Sequence, residues 1–255
     1  MFMTDQAVLL AIAGAGIASI AMFSGLGGGV FWMPLLLTSC NLPAREAVIT
    51  TLLIQCFGQA SAFAANAGRG LIDWRLAGIE AAAGVPGAAI GVWLFTIIEP
   101  SYIQLILGII IFLIAYIFLA GSDFFDSGGE RAEIGPAIKG LPIAFAGGIL
   151  TGLLGIGTGD WLVPYFNKKC KLAMNRSVAT GIALMMLLSI TAFSMQTITG
   201  TDVRWDVAFP AMGGVIIGAQ AGSWMLNRTS DVKFKEIFVL LLVFLAAHIT
   251  FNALP

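Results

Sequence analysis

Residues 24–34 read SGLGGGVFWMP, and residues 154–164 read LGIGTGDWLVP. Each stretch interrupts an apolar segment with three alternating glycines and places a proline nine positions after the first of them. Because glycine and proline destabilise the interior of a helix, both segments should break at these points. The second run begins at Gly155, 130 positions after Gly25. Two breaks at equivalent places indicate a duplicated chain.

The composition indicates a membrane protein. Of the 255 residues, 58% are hydrophobic and 11% are charged, and the mean hydropathy is +0.94. A helix needs roughly 20 apolar residues to cross a bilayer. Stretches near that length cover residues 47–66, 76–98, 102–120, 177–198, 207–226 and 237–254, and two longer ones, 7–37 and 138–166, contain the breaks. We expect one integral, all-α polytopic domain over residues 1–255, placed in the lipid bilayer of the cell inner membrane.

The two halves of the chain align over most of their length. The matched pairs are Gly25/Gly155, Gly27/Gly157, Gly29/Gly159, Pro34/Pro164, Cys40/Cys170, Thr50/Thr180, Phe63/Phe193 and Gly70/Gly200, then, after a one-residue insertion, Trp74/Trp205, Gly87/Gly218, Gly91/Gly222 and Trp93/Trp224. Chance identities in apolar sequence would mostly be Leu, Ile or Ala. The pattern predicts repeat one over about 7–120, a linker over about 121–136 and repeat two over about 137–254.

The basic residues bear on how the halves are oriented. If each broken segment crosses the membrane once, Lys and Arg divide eight to five between the two faces. If each is a re-entrant hairpin, only Arg45 and Arg204 lie on one face and the other eleven lie opposite. The sharper separation favours inverted halves, each opening with a hairpin followed by three to four membrane helices, with the N-terminus outside. Residues 7–23 could almost span as one helix of about 25 Å, so single crossings stay an alternative.

The glycine runs predict a binding site for a small anion. Irregular backbone at membrane depth is tolerated only inside protein or beside a watery cavity. A half-helix beginning after either run would present N–H groups and its positive dipole end, and neutral side chains could add donors. The candidate residues are Ser24, Gly25, Gly27, Gly28, Gly29, Gln55, Gln59, Gly155, Gly157, Thr158, Gly159 and Thr191. The alternatives are tight helix packing for the glycines and helix-to-helix hydrogen bonding for the polar side chains.

Asp160 breaks the correspondence between the halves, because its counterpart is Val30. An ionised carboxylate near the bilayer centre costs about 3 kcal/mol, so something should compensate for it. One hypothesis is that Asp160 couples protons to anion movement. The other is that it caps the helix that follows the break.

Other residues give weaker signals. Cys40, Cys56 and Cys170 are too few and too scattered for a disulfide framework or a zinc site, and structural roles suit them better. His248 has no second histidine nearby and is expected to be a buried or interfacial residue. Since metal-ligand, nucleotide-binding and nucleophile motifs are lacking, we expect no metal, no cofactor, no nucleic-acid partner and no enzymatic activity. Glycine-rich helix faces leave a homodimer open.

The two Gly-x-Gly-x-Gly runs with their prolines, in a duplicated chain of this size, resemble the TauE/SafE family of sulfite exporters, also called the four-toluene-sulfonate uptake permease family. The resemblance covers almost the whole chain. It implies a secondary transporter, an exporter of sulfite, sulfonates or related sulfur-containing anions, with alternating access around a midplane site. Composition and spacing by themselves reach only a small-anion transporter. A carrier of small carboxylates such as lactate, an anion channel and an intramembrane enzyme are the alternatives.

Overall fold

The computed structural model describes residues 2–25, 27–120 and 128–226. Within these ranges the chain forms nine α-helices: α1 (Phe2–Ser24), α2 (Gly29–Thr38), α3 (Ala44–Gly68), α4 (Trp74–Ile97), α5 (Pro100–Ala120), α6 (Ile134–Leu154), α7 (Gly159–Lys168), α8 (Met174–Ile198) and α9 (Trp205–Leu226). Five of them, α1, α3, α4, α6 and α8, are long and apolar enough to cross a membrane. The predicted segment 237–254, with His248, lies outside the described residues, as do residues 121–127 of the predicted linker.

The second glycine run turns the chain back on itself. Gly155 ends α6 in the left-handed conformation, with φ 67°, which favours glycine. Beyond the run, the Tyr165 hydroxyl of α7 donates a 2.7 Å hydrogen bond to the Pro136 carbonyl at the start of α6. The Glu133 amide, just before α6, donates to the Cys170 carbonyl just after α7, at 2.8 Å. Helices α6 and α7 are therefore an antiparallel hairpin whose two ends lie together.

The first glycine run has the same local geometry. Gly25 follows α1 with φ 76° and its amide donates to the Ala21 carbonyl at 2.9 Å. A Cβ built on Gly28 would lie 3.9 Å from the Cγ2 atom of Ile17, two helical turns before the end of α1. Trp32, one turn into α2, lines the same small cavity as Ile17. The start of α2 therefore lies beside α1.

One end of the bundle, which we call the Arg45 end, joins α3, α4 and α9. The Arg45 guanidinium donates to the Ile98 carbonyl, just after α4, at 3.3 Å. The Arg204 amide, just before α9, donates to the Thr50 hydroxyl of α3 at 3.1 Å. The start of α3, the end of α4 and the start of α9 therefore lie together.

The opposite end, which we call the Arg176 end, is built in the same manner. The Arg176 side chain at the start of α8 donates to the Gly70 carbonyl, after α3, at 2.9 Å. The Asp73 amide, just before α4, donates to the Thr180 hydroxyl of α8 at 3.0 Å. An Asp73 carboxylate oxygen accepts from the Ala132 amide, just before α6, at 3.0 Å. The α6–α7 hairpin therefore enters from the Arg176 end.

Two long helix pairs, α1 with α9 and α4 with α6, depend on small residues. In the first pair, Cβ atoms built on glycines of α9 would overlap carbonyl oxygens of α1: Gly214 with Ala11, Gly218 with Ala15 and Gly222 with Ser19. In the second pair, Cβ atoms on α4 would overlap carbonyl oxygens of α6: Gly87 with Phe145 and Gly91 with Ile149. The contacts advance in step, so the helices of each pair run parallel. Glycine permits this close backbone approach, as in other membrane helix pairs. Gly213 differs, since it faces open space.

The outer surface of the bundle is apolar. Exposed large side chains include Leu9, Trp74, Trp93, Tyr116, Ile198, Trp205 and Ile217. A soluble protein rarely leaves so much apolar surface in water, whereas a lipid bilayer would cover it. In contrast, the small helix α2 is buried, with Trp32 and Met33 almost completely inaccessible.

The α1–α9 pair gives a test of this packing. We expect Gly218→Val to destabilise the protein by about 1–3 kcal/mol or more, because the new side chain meets the Ala15 backbone, which cannot rotate away. Gly213→Val makes the same change on the same helix into open space and should stay within about 0.5 kcal/mol. Thermal unfolding of the purified variants in detergent measures both. Equal losses would contradict the proposed packing role.

Candidate functional site between the helix breaks

The two glycine runs meet each other inside the bundle. A Cβ built on Gly27 would overlap the Gly157 backbone, and one built on Gly157 would overlap Gly27. A Cβ on Gly29 would likewise overlap the Gly155 carbonyl. Gly27, Gly29 and Gly157 do not have positive φ angles, so glycine is needed there for close approach and not for backbone conformation. The breaks form one buried junction.

Gln55 of α3 bridges to the second break. Its side-chain amide nitrogen donates a 2.6 Å hydrogen bond to the Gly155 carbonyl, which follows the last turn of α6. Carbonyls at a helix end lack intrahelical partners, so this bond satisfies a group that would otherwise be buried without one. Gln59, one turn along α3, donates to the Gln55 side-chain oxygen at 3.4 Å. The structure thus brings both predicted glutamines to the junction.

The position on α8 that corresponds to Gln55 is Met185, which has a thioether in place of an amide. Met185 places its sulfur and methyl carbon against Gly157 and Gly159, where a Cβ would lie 2.6–2.8 Å from them. Thr158 pairs its hydroxyl with the Thr151 hydroxyl of α6 at 2.9 Å. Sequence reasoning named Thr158 but missed Thr151 and Met185, which gave no polar or pattern signal in an apolar segment.

Asp160 is the charged group of the junction. It is buried, and one carboxylate oxygen accepts a 2.6 Å hydrogen bond from the Gly27 amide of the other break. Its second oxygen has no hydrogen-bond partner among the described residues. The capping hypothesis is wrong in its geometry, because the N-terminus of α7 has no side-chain cap. The carboxylate instead occupies an amide of the opposite break, where we expected an anionic ligand.

Other predicted site residues are placed differently. Thr191 lies six residues beyond Met185, and its hydroxyl donates to the Leu187 carbonyl of its own helix at 2.8 Å, so it is not part of the junction. Gly28 has room, since a Cβ there would find its nearest neighbour, Trp32, at 3.6 Å. Ser24 is the last residue of α1. Gly25 and Gly159 lie close together, because a Cβ built on Gly159 would lie 2.8 Å from the Gly25 carbonyl oxygen.

The described cavity beside the first break is too small for a ligand of several atoms. A cavity of about 10 Å³ lies beside the first break, lined by Gly28, Trp32, Gln55, Gln59 and apolar residues of α1. That is room for about one water molecule. This cavity would have to widen before it could hold an anion such as sulfite.

The junction holds no basic side chain among the described residues. Every described Lys and Arg lies near a helix end or in a connection between helices. Arg45 and Arg176 tie backbone carbonyls at the two ends of the bundle. Within the described ranges, His, Cys, Asp and Glu form no cluster suited to a metal ion. Backbone amides and glutamine amides are therefore the anion donors that the junction offers.

The cysteines lie away from the junction. Cys170 is fully buried after α7, and burial is the main reason why the pKa of its thiol is raised to about 12. Burial also raises the pKa of the half-buried Cys40 thiol. A raised pKa lowers the thiolate fraction and hence the reactivity toward sulfur compounds. These positions favour structural roles.

A polytopic helical bundle in which two broken helices meet at a buried, polar centre is the architecture of a membrane transporter. The sequence profile of the family described as Sulfite exporter TauE/SafE matches residues 10–249. The chain belongs to this family, and it is a multi-pass inner-membrane transporter and not an enzyme.

Curated relatives support the same class. A probable membrane transporter protein of Xylella fastidiosa (strain Temecula1) is 24% identical over 264 residues, covering 98% of each chain. The probable membrane transporter protein YunE of Bacillus subtilis is 25% identical over 248 residues, covering 89% of this chain and 90% of that protein. The probable membrane transporter protein ORF9 of a Sinorhizobium species is 25% identical over 223 residues, covering 88% and 84%. No solved structure matches the chain significantly.

The close approach of the two breaks can be tested with a single methyl group. We expect Gly27→Ala to destabilise the protein by about 1–3 kcal/mol or more, because the methyl would overlap the Gly157 backbone. The adjacent Gly28→Ala adds the same methyl where the nearest atom is 3.6 Å away, and it should stay within about 0.5 kcal/mol. Thermal unfolding and the yield of monodisperse protein measure the difference. If both variants behave alike, the junction is not closely packed.

Proposed function

We propose that this transporter moves small sulfur-containing anions, sulfite or organosulfonates, and that it acts as an exporter. The observation that carries the proposal is the buried junction, where Gly27 and Gly157 meet, the Gly27 amide binds the Asp160 carboxylate, and the side-chain amides of Gln55 and Gln59 lie nearby. Helix N-termini and neutral amides bind anions without a buried cation, and such a site can release its ligand. The family description supplies the sulfur chemistry.

The proposal includes two inverted repeats. Helices α2 and α7 both have 10 residues, and α3 and α8 both have 25. The bond from the Arg204 amide to the Thr50 hydroxyl has its counterpart in the bond from the Asp73 amide to the Thr180 hydroxyl, at 3.1 and 3.0 Å. Because these equivalent bonds lie at opposite ends of the bundle, they support repeats of opposite orientation. In other transporters such repeats exchange roles during alternating access.

The distribution of basic residues supports an orientation. Among the described residues, Arg45 and Arg204 belong to the Arg45 end. The other eight belong to the Arg176 end, namely Arg69, Arg75, Arg131, Lys139, Lys168, Lys169, Lys171 and Arg176. Cytoplasmic loops carry the excess of Lys and Arg, so the Arg176 end faces the cytoplasm in our proposal.

In the proposed cycle, Asp160 binds and releases a proton. An anion at the Gly27 amide would compete with the Asp160 carboxylate, which holds that amide at 2.6 Å. Protonation of Asp160 removes the repulsion and frees the amide, so anion binding and proton binding favour one another. The bonds from Gly27 to Asp160 and from Gln55 to the Gly155 carbonyl join the two breaks, and both must change when the junction opens.

A carrier of small carboxylates such as lactate is the second candidate, since a carboxylate could use the same amide donors. An anion channel is the third. The first experiment is uptake of radiolabelled sulfite into proteoliposomes, with unlabelled sulfonate, thiosulfate and lactate as competitors and empty liposomes as the control. We expect saturable flux that sulfur oxyanions inhibit. Inhibition by lactate without sulfite flux would favour the carboxylate carrier, and flux that never saturates would favour a channel.

The substitution Asp160→Asn tests whether proton binding at Asp160 is coupled to transport. The amide oxygen of Asn can still accept from the Gly27 amide, but the side chain no longer titrates. In the parent protein, acidifying the side from which the anion moves should accelerate the flux, and in Asp160→Asn this acceleration should disappear. The control Asp202→Asn removes an exposed carboxylate and should retain the acceleration by acid. Unchanged transport and unchanged pH dependence in Asp160→Asn would dispose of the coupling role.

A further inference from the structure

Glu80 is a second buried carboxyl group, away from the junction. It lies on α4, its exposure is 0%, and neither carboxylate oxygen has a hydrogen-bond partner among the described residues. An isolated ionised carboxylate in such surroundings is strongly disfavoured, whereas the protonated acid is tolerated. The structure therefore holds Glu80 in an environment that suits its neutral form.

The neighbours of Glu80 belong to the α6–α7 hairpin. A Cβ built on Gly140 of α6 would lie 3.0 Å from the Oε1 atom of Glu80 and 2.7 Å from the ring of Tyr165 of α7. Gly140 thus lies between the carboxyl group and the tyrosine. Around them Leu76, Ala137, Leu162 and Phe166 form a buried apolar cluster, together with other residues of α4, α6, α7 and α8. Glu80 lies where α4 covers the hairpin.

Few charged groups face this position. Tyr165 and Cys170 are its titratable neighbours from the hairpin, and Asp73 and Glu133 lie further toward the Arg176 end. Lys139 directly precedes Gly140 on α6 but is exposed, and Lys168 is the last residue of α7. The only charged residue of α8, Arg176, binds backbone carbonyls of Glu130 and Gly70. The charged groups nearest in the chain therefore supply no hydrogen bond to the Glu80 carboxyl group.

We propose that Glu80 is a proton-binding site that controls the packing of α4 against the α6–α7 hairpin, so that loss of its proton opens the Arg176 end of the transporter. When Glu80 ionises, its carboxylate needs water or a cation, and neither is available while α4, Gly140 and Tyr165 are in contact. Separation of α4 from the hairpin supplies water. The open state binds fewer protons than the closed one, so opening increases as the pH rises.

The link between Glu80 and transport rests on the proposed function. The effect of Glu80 on helix packing does not. Asp160 acts at the junction, and Glu80 acts on the helix contact that closes the hairpin from one side. The position equivalent to Glu80 in the second half is Ala211, using the one-residue offset that pairs Trp74 with Trp205. The proton-controlled contact is therefore expected at the Arg176 end alone.

Cys170 provides a reporter within the native chain. It is fully buried at the end of the hairpin and belongs to the same apolar cluster, with Leu76, Leu162 and Phe166, that surrounds Glu80. In a Cys40→Ser, Cys56→Ala background, the rate of maleimide labelling at Cys170 measures opening. Below its pKa, ionisation of the thiol alone raises the rate about tenfold per pH unit. If opening also requires loss of one proton, the rise should approach about a hundredfold per pH unit.

We expect this steeper rise in the parent background and in Glu130→Gln, which removes an exposed carboxylate at the same end. In Glu80→Gln the labelling rate should rise only as ionisation of the thiol predicts, and in Glu80→Asp part of the steeper pH dependence should return. Direct electrostatics works in the opposite sense, because an ionised Glu80 would slow labelling of the parent. Equal slopes in the parent and Glu80→Gln would overturn the proposal, and a folded Glu80→Asp variant keeps the test valid if Glu80→Gln does not fold.

Sulfite flux in proteoliposomes separates the two proposals. We expect Glu80→Gln to keep sulfite exchange at equal pH within about twofold while losing the acceleration that a higher pH at the Arg176 end gives the parent, and Glu130→Gln to retain both. Acceleration of Glu80→Gln equal to that of the parent would overturn the link to transport. Absence of flux in the parent would overturn the proposed function, and the labelling experiment would still decide whether Glu80 controls opening.

Discussion

Backbone polar groups inside a membrane must find partners within the protein, and the rest of this structure depends on how the two helix breaks satisfy that requirement. The Gly155 carbonyl after α6 accepts a hydrogen bond from the Gln55 side chain of α3, and the Gly27 amide donates one to the Asp160 carboxylate of α7. Both bonds join opposite halves of the chain. The close approach of Gly27 and Gly157 brings these groups within reach. The breaks therefore stabilise one another, and neither would be satisfied in the same way alone.

The helix pairs around the junction do not follow the division of the sequence. Helix α1 packs on α9 of the other half, and α6 packs on α4, with glycines setting the separation in both pairs. The first helix of each broken segment is thus packed against a helix from the opposite half. In both pairs backbone lies against backbone and leaves no room for a side chain at the glycine positions.

Sequence reasoning located the breaks well, because glycine and proline act locally on a helix. It placed them at 25–29 and 155–159, and α1 ends at Ser24 while α2 begins at Gly29. Helix ends were less accurate: the apolar stretch 47–66 became Ala44–Gly68, since polar residues extend the helix beyond its apolar part. The partners of Asp160 and Gln55 could not be predicted, because they lie 133 and 100 residues away. The local capping hypothesis for Asp160 was wrong for this reason.

The differences between the halves carry the chemistry of the site. Gln55 corresponds to Met185, and Val30 corresponds to Asp160. The Gln55 amide therefore lies between the breaks, against Gly29 and bonded to the Gly155 carbonyl, whereas a thioether and a threonine pair lie at the second break. The Asp160 carboxylate comes from the second break and binds an amide of the first. A perfectly symmetric junction would offer the same donors twice and no titratable group. The helical scaffold brings the breaks together, and residues without a match between the halves give the centre its polarity.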